Sequence, residues 1–147
     1  PLMCVTLQGR LLEGEFPNYV ALLPNQTAPN LSVDTAQLTQ AIRRVTALGK
    51  VNKPSARFTG AGESLVVKMS DIDTGMAQET LEASVASDLS VAINPAYVRE
   101  MLDTVASLGS IESSRVALQC ANHVAPVMFR FSHDDASVWL IMPMRDE

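Results

Sequence analysis

Only two cysteines, Cys4 and Cys120, occur in the 147 residues. They are too few and too far apart for a disulfide framework or a zinc cluster, and such sparse usage fits reduced thiols in the cytoplasm. No apolar run approaches the ~18 residues of a membrane span, and no signal peptide is visible. No large excess of one charge is present either. The net charge of -5 is mildly acidic, which excludes tight charge-driven binding of nucleic acid by the domain as a whole. Catalytic signatures are missing as well. His123 and His133 lie ten positions apart without an H-x-x-x-H spacing, and Ser132-His133-Asp134-Asp135 reads as a turn. Neither a nucleophile elbow nor a phosphate-cradling glycine loop is found. The chain is therefore expected to be no enzyme and to need no metal and no cofactor. It does not begin with Met and starts almost at once in a strand-like run, so it reads as a piece of a longer protein.

What is present fits one domain of ordinary globular composition. Met3 to Leu12 has strand alternation, with Val5 and Leu7 against Thr6 and Gln8, and Gly14 closes it. Pro17, Pro24 and Pro29 then forbid a long helix or a central strand. This connector carries Phe16, Tyr19, Leu22 and Leu23, which should pack against something.

Beyond it the sequence repeats at an offset of sixty. Leu31-Ser32-Val33-Asp34 leads into a helix ending Val45-Thr46-Ala47-Leu48-Gly49, and Leu89 to Asn94 leads into one ending Val105-Ala106-Ser107-Leu108-Gly109. Asp34, with Gln37 three residues on, and Asn94, followed by Pro95, are N-caps. Gly49 and Gly109 are the expected stops. Leu38, Ile42, Val45 and Leu48 form one apolar stripe; Val98, Met101, Leu102, Val105 and Leu108 form the other. Three strands should follow each helix: 56–59, 64–69 and 80–85, then 115–120, 124–131 and 137–142. The expected fold is α+β, two tandem βαβββ units sharing one core, with two helices on one side and antiparallel sheets on the other.

The last strand breaks the symmetry. It is apolar at five successive positions, Val138 to Met142, whereas a half-exposed strand alternates. Its counterpart, Thr80-Leu81-Glu82-Ala83-Ser84-Val85, does alternate. Where the first copy turns Thr80, Glu82 and Ser84 to water, the second has Leu140, Met142 and Met144. A partner, the connector or missing parts of the parent chain must cover them. Charge is segregated too: Arg43, Arg44, Lys50, Lys53 and Arg57 lie in a stretch free of acids. A solvated helix face and non-specific contact with a phosphate backbone both fit that stretch.

Phe16-Pro17-Asn18-Tyr19, Leu22-Leu23-Pro24, Asn94-Pro95-Ala96-Tyr97-Val98 and above all Met142-Pro143-Met144-Arg145 resemble the bacterial DNA polymerase III beta subunit, the sliding-clamp family. The likeness covers the whole chain at the C-terminal end of that family. It implies a DNA-clamp fold, with residues 1–19 as the last strand of a middle domain plus connector, and 20–147 as the third domain. The implied function is that of a non-catalytic processivity factor in the bacterial cytoplasm, associated with the nucleoid. It would be a homodimeric ring that encircles and slides on duplex DNA without sequence preference. It would bind polymerase III alpha, clamp-loader subunits and other proteins through short peptides with Gln, Leu and Phe. By the same resemblance the peptide pocket falls on Pro17, Leu22, Asn94, Tyr97, Val124, Pro126, Leu140, Met142, Pro143, Met144 and Arg145. Arg43, Arg44 and Arg99 would face DNA. Ala47, Leu48, Asp73 and Glu79 would form the ring interface. Ala21 departs from a position often basic in the family, and Asp146 and Glu147 extend past the arginine beside the pocket. The rival expectation is a stand-alone peptide-binding adaptor without a ring.

Overall fold

Asp34 is the last residue of one strand and the first cap of one helix, and the fold grows from that junction. The computed structural model describes residues 6, 8–10, 13–16, 18–23, 28–48, 54–71, 73–108 and 114–145, with the backbone alone at 134–136. Strand β1 (Leu31–Asp34) runs into helix α1 (Thr35–Val45), and the Asp34 carboxylate accepts a hydrogen bond from Gln37 N at 2.8 Å. That satisfies one of the four amides an α-helix leaves open at its start. A 3-10 turn, Thr46–Leu48, continues α1. In the second unit β5 (Leu89–Ile93) precedes α2 (Pro95–Leu108), and Asn94 Oδ1 accepts from Ala96 N at 2.9 Å. The expected glycine stops, Gly49 and Gly109, fall outside the described residues, as do most of the expected first strand, Pro24, Lys50 and Lys53.

The remaining strands are β2 (Ala56–Ala61), β3 (Ser64–Asp71), β4 (Gly75–Val85), β6 (Arg115–Gln119), β7 (Val127–Phe131) and β8 (Asp134–Ile141). Together they make one eight-stranded antiparallel sheet in the order β5-β2-β3-β4-β1-β6-β7-β8. The two units are thereby woven together: β5 of the second pairs with β2 of the first, and β1 of the first with β6 of the second. The βαβββ expectation holds in both halves.

The offset of sixty holds for most strands and slips at one. Ala56 faces Met69, but Val116, sixty on from Ala56, faces Phe131 rather than Phe129. The loop before β7 is two residues longer than its counterpart. The following hairpin restores the count, because Leu65 faces Leu81 and Val127 faces Ile141. A slip of two preserves the alternation of a strand. Val127, Phe129 and Phe131 therefore still point inward, as Leu65, Val67 and Met69 do.

Both helices bury matching residues on that inner face: Leu38, Ala41, Ile42 and Val45 from α1; Val98, Met101, Leu102 and Val105 from α2. They join Phe58 and Phe129 in one apolar core. Gly60 is fixed by this packing, since a Cβ there would collide with the Leu31 side chain. Buried Asn30 ties the units: its Nδ2 donates to Ser87 Oγ at 2.9 Å and its Oδ1 accepts from Cys120 N at 2.6 Å.

Candidate functional site

β8 is an edge strand, and its outer residues are not entombed. Met142 is 59% exposed and Leu140 is half-buried, while Ile141 on the opposite face is 8% exposed. Between β8 and α2 lies a hollow of about 560 Å³ lined by Tyr97, Glu100, Met101, Thr104 and Trp139 to Met142. Its walls are mostly apolar, with the Tyr97 hydroxyl, the Thr104 hydroxyl and the Glu100 carboxylate as polar points. That is the make-up of a site that takes apolar side chains and orients them with a few hydrogen bonds.

The chain beyond β8 folds toward the other end of the sheet. Met144 N–H donates to Ala92 O at 2.8 Å, which repeats the pairing of Ser84 with Ser32 in the first unit, sixty residues on along each strand. Pro143 stands where Ala83 stands in β4. Ala83 N–H donates to Glu63 O, on the side away from β1, and proline, with no N–H, cannot make the corresponding bond. A second, smaller hollow of about 310 Å³ opens beside the tail, lined by Arg57, Val91, Ala92, His123, Val124, Met144 and Arg145.

The expected pocket residues thus sort into groups. Tyr97, Leu140 and Met142 line the first hollow; Val124, Met144 and Arg145 line the second. Pro143, half-buried, lies between Met142 and Met144, and Asn94, half-buried, caps the helix that carries Tyr97. Leu22, on a 3-10 turn, is 47% exposed and Pro126 is half-buried; neither lines either of these two hollows. Pro17, Asp146 and Glu147 lie outside the described residues. Sequence reasoning missed Glu100, Met101, Thr104 and Trp139 on one side, and Arg57 and His123 on the other. A larger hollow, about 720 Å³, lies between α2 and the first unit, lined by Arg99, Glu100, Asp103 and Ser107 together with Thr46, Pro54 and Met69, and touches none of Leu140, Met142 and Met144.

Several of the residues expected to meet DNA and to close a ring form ion pairs within the chain. Arg44 grips Glu79 with two of its three guanidinium nitrogens, Nε–Oε1 at 2.8 Å and Nη2–Oε2 at 2.9 Å. A residue assigned to DNA and one assigned to the ring interface therefore bind each other within the chain. The paired guanidinium holds the Glu79 carboxyl below its ordinary range, and Glu79 in turn raises Arg44. Arg43 Nη2 binds Asp103 Oδ1 at 2.9 Å, and Arg99 Nε lies 3.6 Å from Asp103 Oδ2. Ala47 is exposed; Leu48 is half-buried and packs on the core. Asp73 is exposed in the β3–β4 turn, where Asp71 Oδ1 accepts from Asp73 N and from both Thr74 N and its hydroxyl. Those three bonds lower the Asp71 carboxyl. Among the described residues β4 pairs with β1 only from Ala83 to Val85, so its edge from Gly75 to Glu82 has no second neighbour.

Two other groups have structural roles. Burial raises the Cys120 thiol, which at 3% exposure is an inert core residue. His133 Nδ1 lies 2.8 Å from Ser114 Oγ; Ser114 is 3% exposed and its Oγ also accepts from the Thr35 hydroxyl, so the pair is part of the interior hydrogen bonding.

This fold is that of a sliding-clamp domain. The chain superposes with a TM-score of 0.78 on the Bartonella birtlesii sliding clamp bound to griselimycin, at 22% identity over 91% of this chain and 35% of that one. With the Bacillus subtilis polymerase sliding clamp the TM-score is 0.76 at 21% identity, covering 94% and 36%. The sequence adds the family: the chain belongs to the DNA polymerase III beta subunit family, whose C-terminal-domain model matches residues 20–145. It is 29% identical over 141 residues to the beta sliding clamp of Streptomyces coelicolor, covering 92% of this chain. It is 25% identical over 142 residues to that of Synechococcus elongatus, covering 95%. In both cases the chain spans 36% of the relative's length.

Proposed function

We propose that this chain is the C-terminal third of a ring-shaped processivity factor of the bacterial replicative polymerase. In this reading the ring encircles duplex DNA in the cytoplasm, does no catalysis itself, and holds partner proteins by short linear peptides docked between α2 and β8. The observation that carries the reading is the hollow itself. It lies where the sheet ends in exposed Met142 and half-buried Leu140, and where the repeat predicts polar residues. A preceding domain would supply its other wall and cover Leu22 and Tyr97, which are exposed here. Ring closure is supported by the open edge of β4, with Met76 at 60% exposure, beside the Thr46–Leu48 turn. A second chain adding a strand there would satisfy the unpaired amides and carbonyls.

The test is a titration of a fluorescent peptide bearing Gln, Leu and Phe against the full-length ring. Binding at micromolar strength, about -8 kcal/mol, is expected of a short groove-bound segment. Met142→Ala, or truncation from Met142 onward, should abolish it while the circular dichroism spectrum stays unchanged. Undiminished affinity in both variants would place the peptide elsewhere.

A further inference from the structure

The ion pair Arg43–Asp103 joins residues sixty apart, and sixty is the offset of the repeat. Each is the counterpart of the other: both follow a buried core residue, Ile42 and Leu102, at the same point of α1 and α2. Counterparts that touch must lie on the pseudo-twofold axis relating the two units. The pair therefore marks the centre of the helical face. Identical charges at this position would meet head-on and repel; the chain has opposite ones.

Asp103 does more than answer Arg43. Its Oδ1 takes Arg43 at 2.9 Å and its Oδ2 lies 3.6 Å from Arg99 Nε, one turn earlier on α2. One carboxylate thus engages a guanidinium from each helix. These side chains are 41% to 60% exposed, so the cluster adds little to stability. Its main effect is on charge. Arg43, Arg44 and Arg99 on the helical side are each held by a carboxylate, Asp103 or Glu79. A guanidinium in such a pair gives up part of the donor fork that it would turn to a phosphate.

We propose that Asp103 sets how weakly this domain touches duplex DNA, by keeping Arg43 and Arg99 off the phosphates so that the ring slides. The inference rests on the reading that the helices face DNA. A ring retained by topology needs no affinity from its wall, and each phosphate contact made and broken would slow its diffusion.

The experiment measures binding of a short linear duplex to the full-length ring by fluorescence anisotropy between 50 and 200 mM salt. Each added phosphate contact steepens log K against log salt by about 0.9, which is ~3.5-fold more affinity lost across that range. Asp103→Asn should steepen the slope by one to two such contacts. Asp103→Asn combined with Arg43→Gln and Arg99→Gln should return it to the parent value or below. Glu63→Gln, which removes the same charge from the β2–β3 turn, should leave it unchanged. An Asp103→Asn slope equal to the parent's, or one matched by Glu63→Gln, overturns the inference and leaves the DNA reading standing. Absence of any salt-dependent duplex binding by the parent and all variants overturns that reading, and the inference with it.

Discussion

The two βαβββ units share their elements, caps and buried helix stripes, and they part company at the seam between helix and last strand. In the first unit Arg44 on α1 grips Glu79 on β4, and β4 continues through Ala83 to pair with β1. In the second unit the same positions are Thr104 and Trp139, and both line the hollow between α2 and β8. Ala83, whose N–H donates to Glu63 O, becomes Pro143, which has no N–H to give, and Met144 N–H donates to Ala92 O of β5. Thr80 and Glu82, turned to water, become Leu140 and Met142. The candidate docking site is thus the first unit's seam with its ion pair removed and its polar face made apolar. A duplicated scaffold gains a site by losing a closure in one copy.

The comparison presumes that the halves differ at the seam but share one interior. Phe58 in β2 and Phe129 in β7 are both fully buried, one from each unit. Truncating either to Ala leaves a large cavity and should cost about 3–5 kcal/mol. In urea, each variant should unfold in a single transition with the parent's slope, because neither unit can bury its helix stripe alone. Two separated transitions, with the unmutated unit surviving, would break the picture of a common core.

Restoring the first unit's chemistry sharpens the contrast at the site. Met142→Glu puts back the residue type of Glu82 at a position that is 59% exposed. Stability should shift by no more than ~0.5 kcal/mol, as for most surface changes. Peptide affinity should fall at least tenfold, since a carboxylate would lose its hydration inside an apolar hollow. A variant that binds as the parent does would mean that the apolar face of β8 is not what the peptide reads.

Much of this was legible in the residues, and what was not has identifiable causes. Asp34 and Asn94 announced both helices, and alternation from Thr80 to Val85 against the apolar run from Val138 marked the divergent strand. The slip at β7 left no trace, because moving Val127 and Phe129 by two positions keeps the same inward pattern. The α2 wall was hidden for a related reason. Glu100 and Thr104 are ordinary surface residues until β8 is placed beside them. Arg44 and Glu79 are 35 positions apart, and nothing local joins them, so the resemblance assigned one to DNA and the other to the ring interface. Arg43 and Asp103 could have been paired from the repeat, since equivalent positions on two crossing helices meet at the axis.

The smallest effect isolates the closure that the first unit keeps. Hydrogen bonding from Arg44 lowers the Glu79 carboxyl below its ordinary range, so the folded state binds that proton less readily than the unfolded chain. The stabilisation it brings is complete above the unfolded carboxylate range and disappears as the pH falls through the lowered folded value. Asp71 and Asp103 are lowered as well, by the Thr74 bonds and by Arg43, and they contribute equally in a Glu79→Gln variant. The difference between parent and variant therefore reports Glu79 alone. The variant should have the lower urea midpoint at pH 7, and the two midpoints should converge as acid protonates Glu79. Hydrogen exchange should show the same change as faster opening of α1 against β4, with the α2–β8 side unaffected, because Glu79→Gln removes no contact there. Parallel midpoints from pH 7 to pH 3 would show that the Arg44–Glu79 bridge closes nothing, and that the two seams differ in shape without differing in strength.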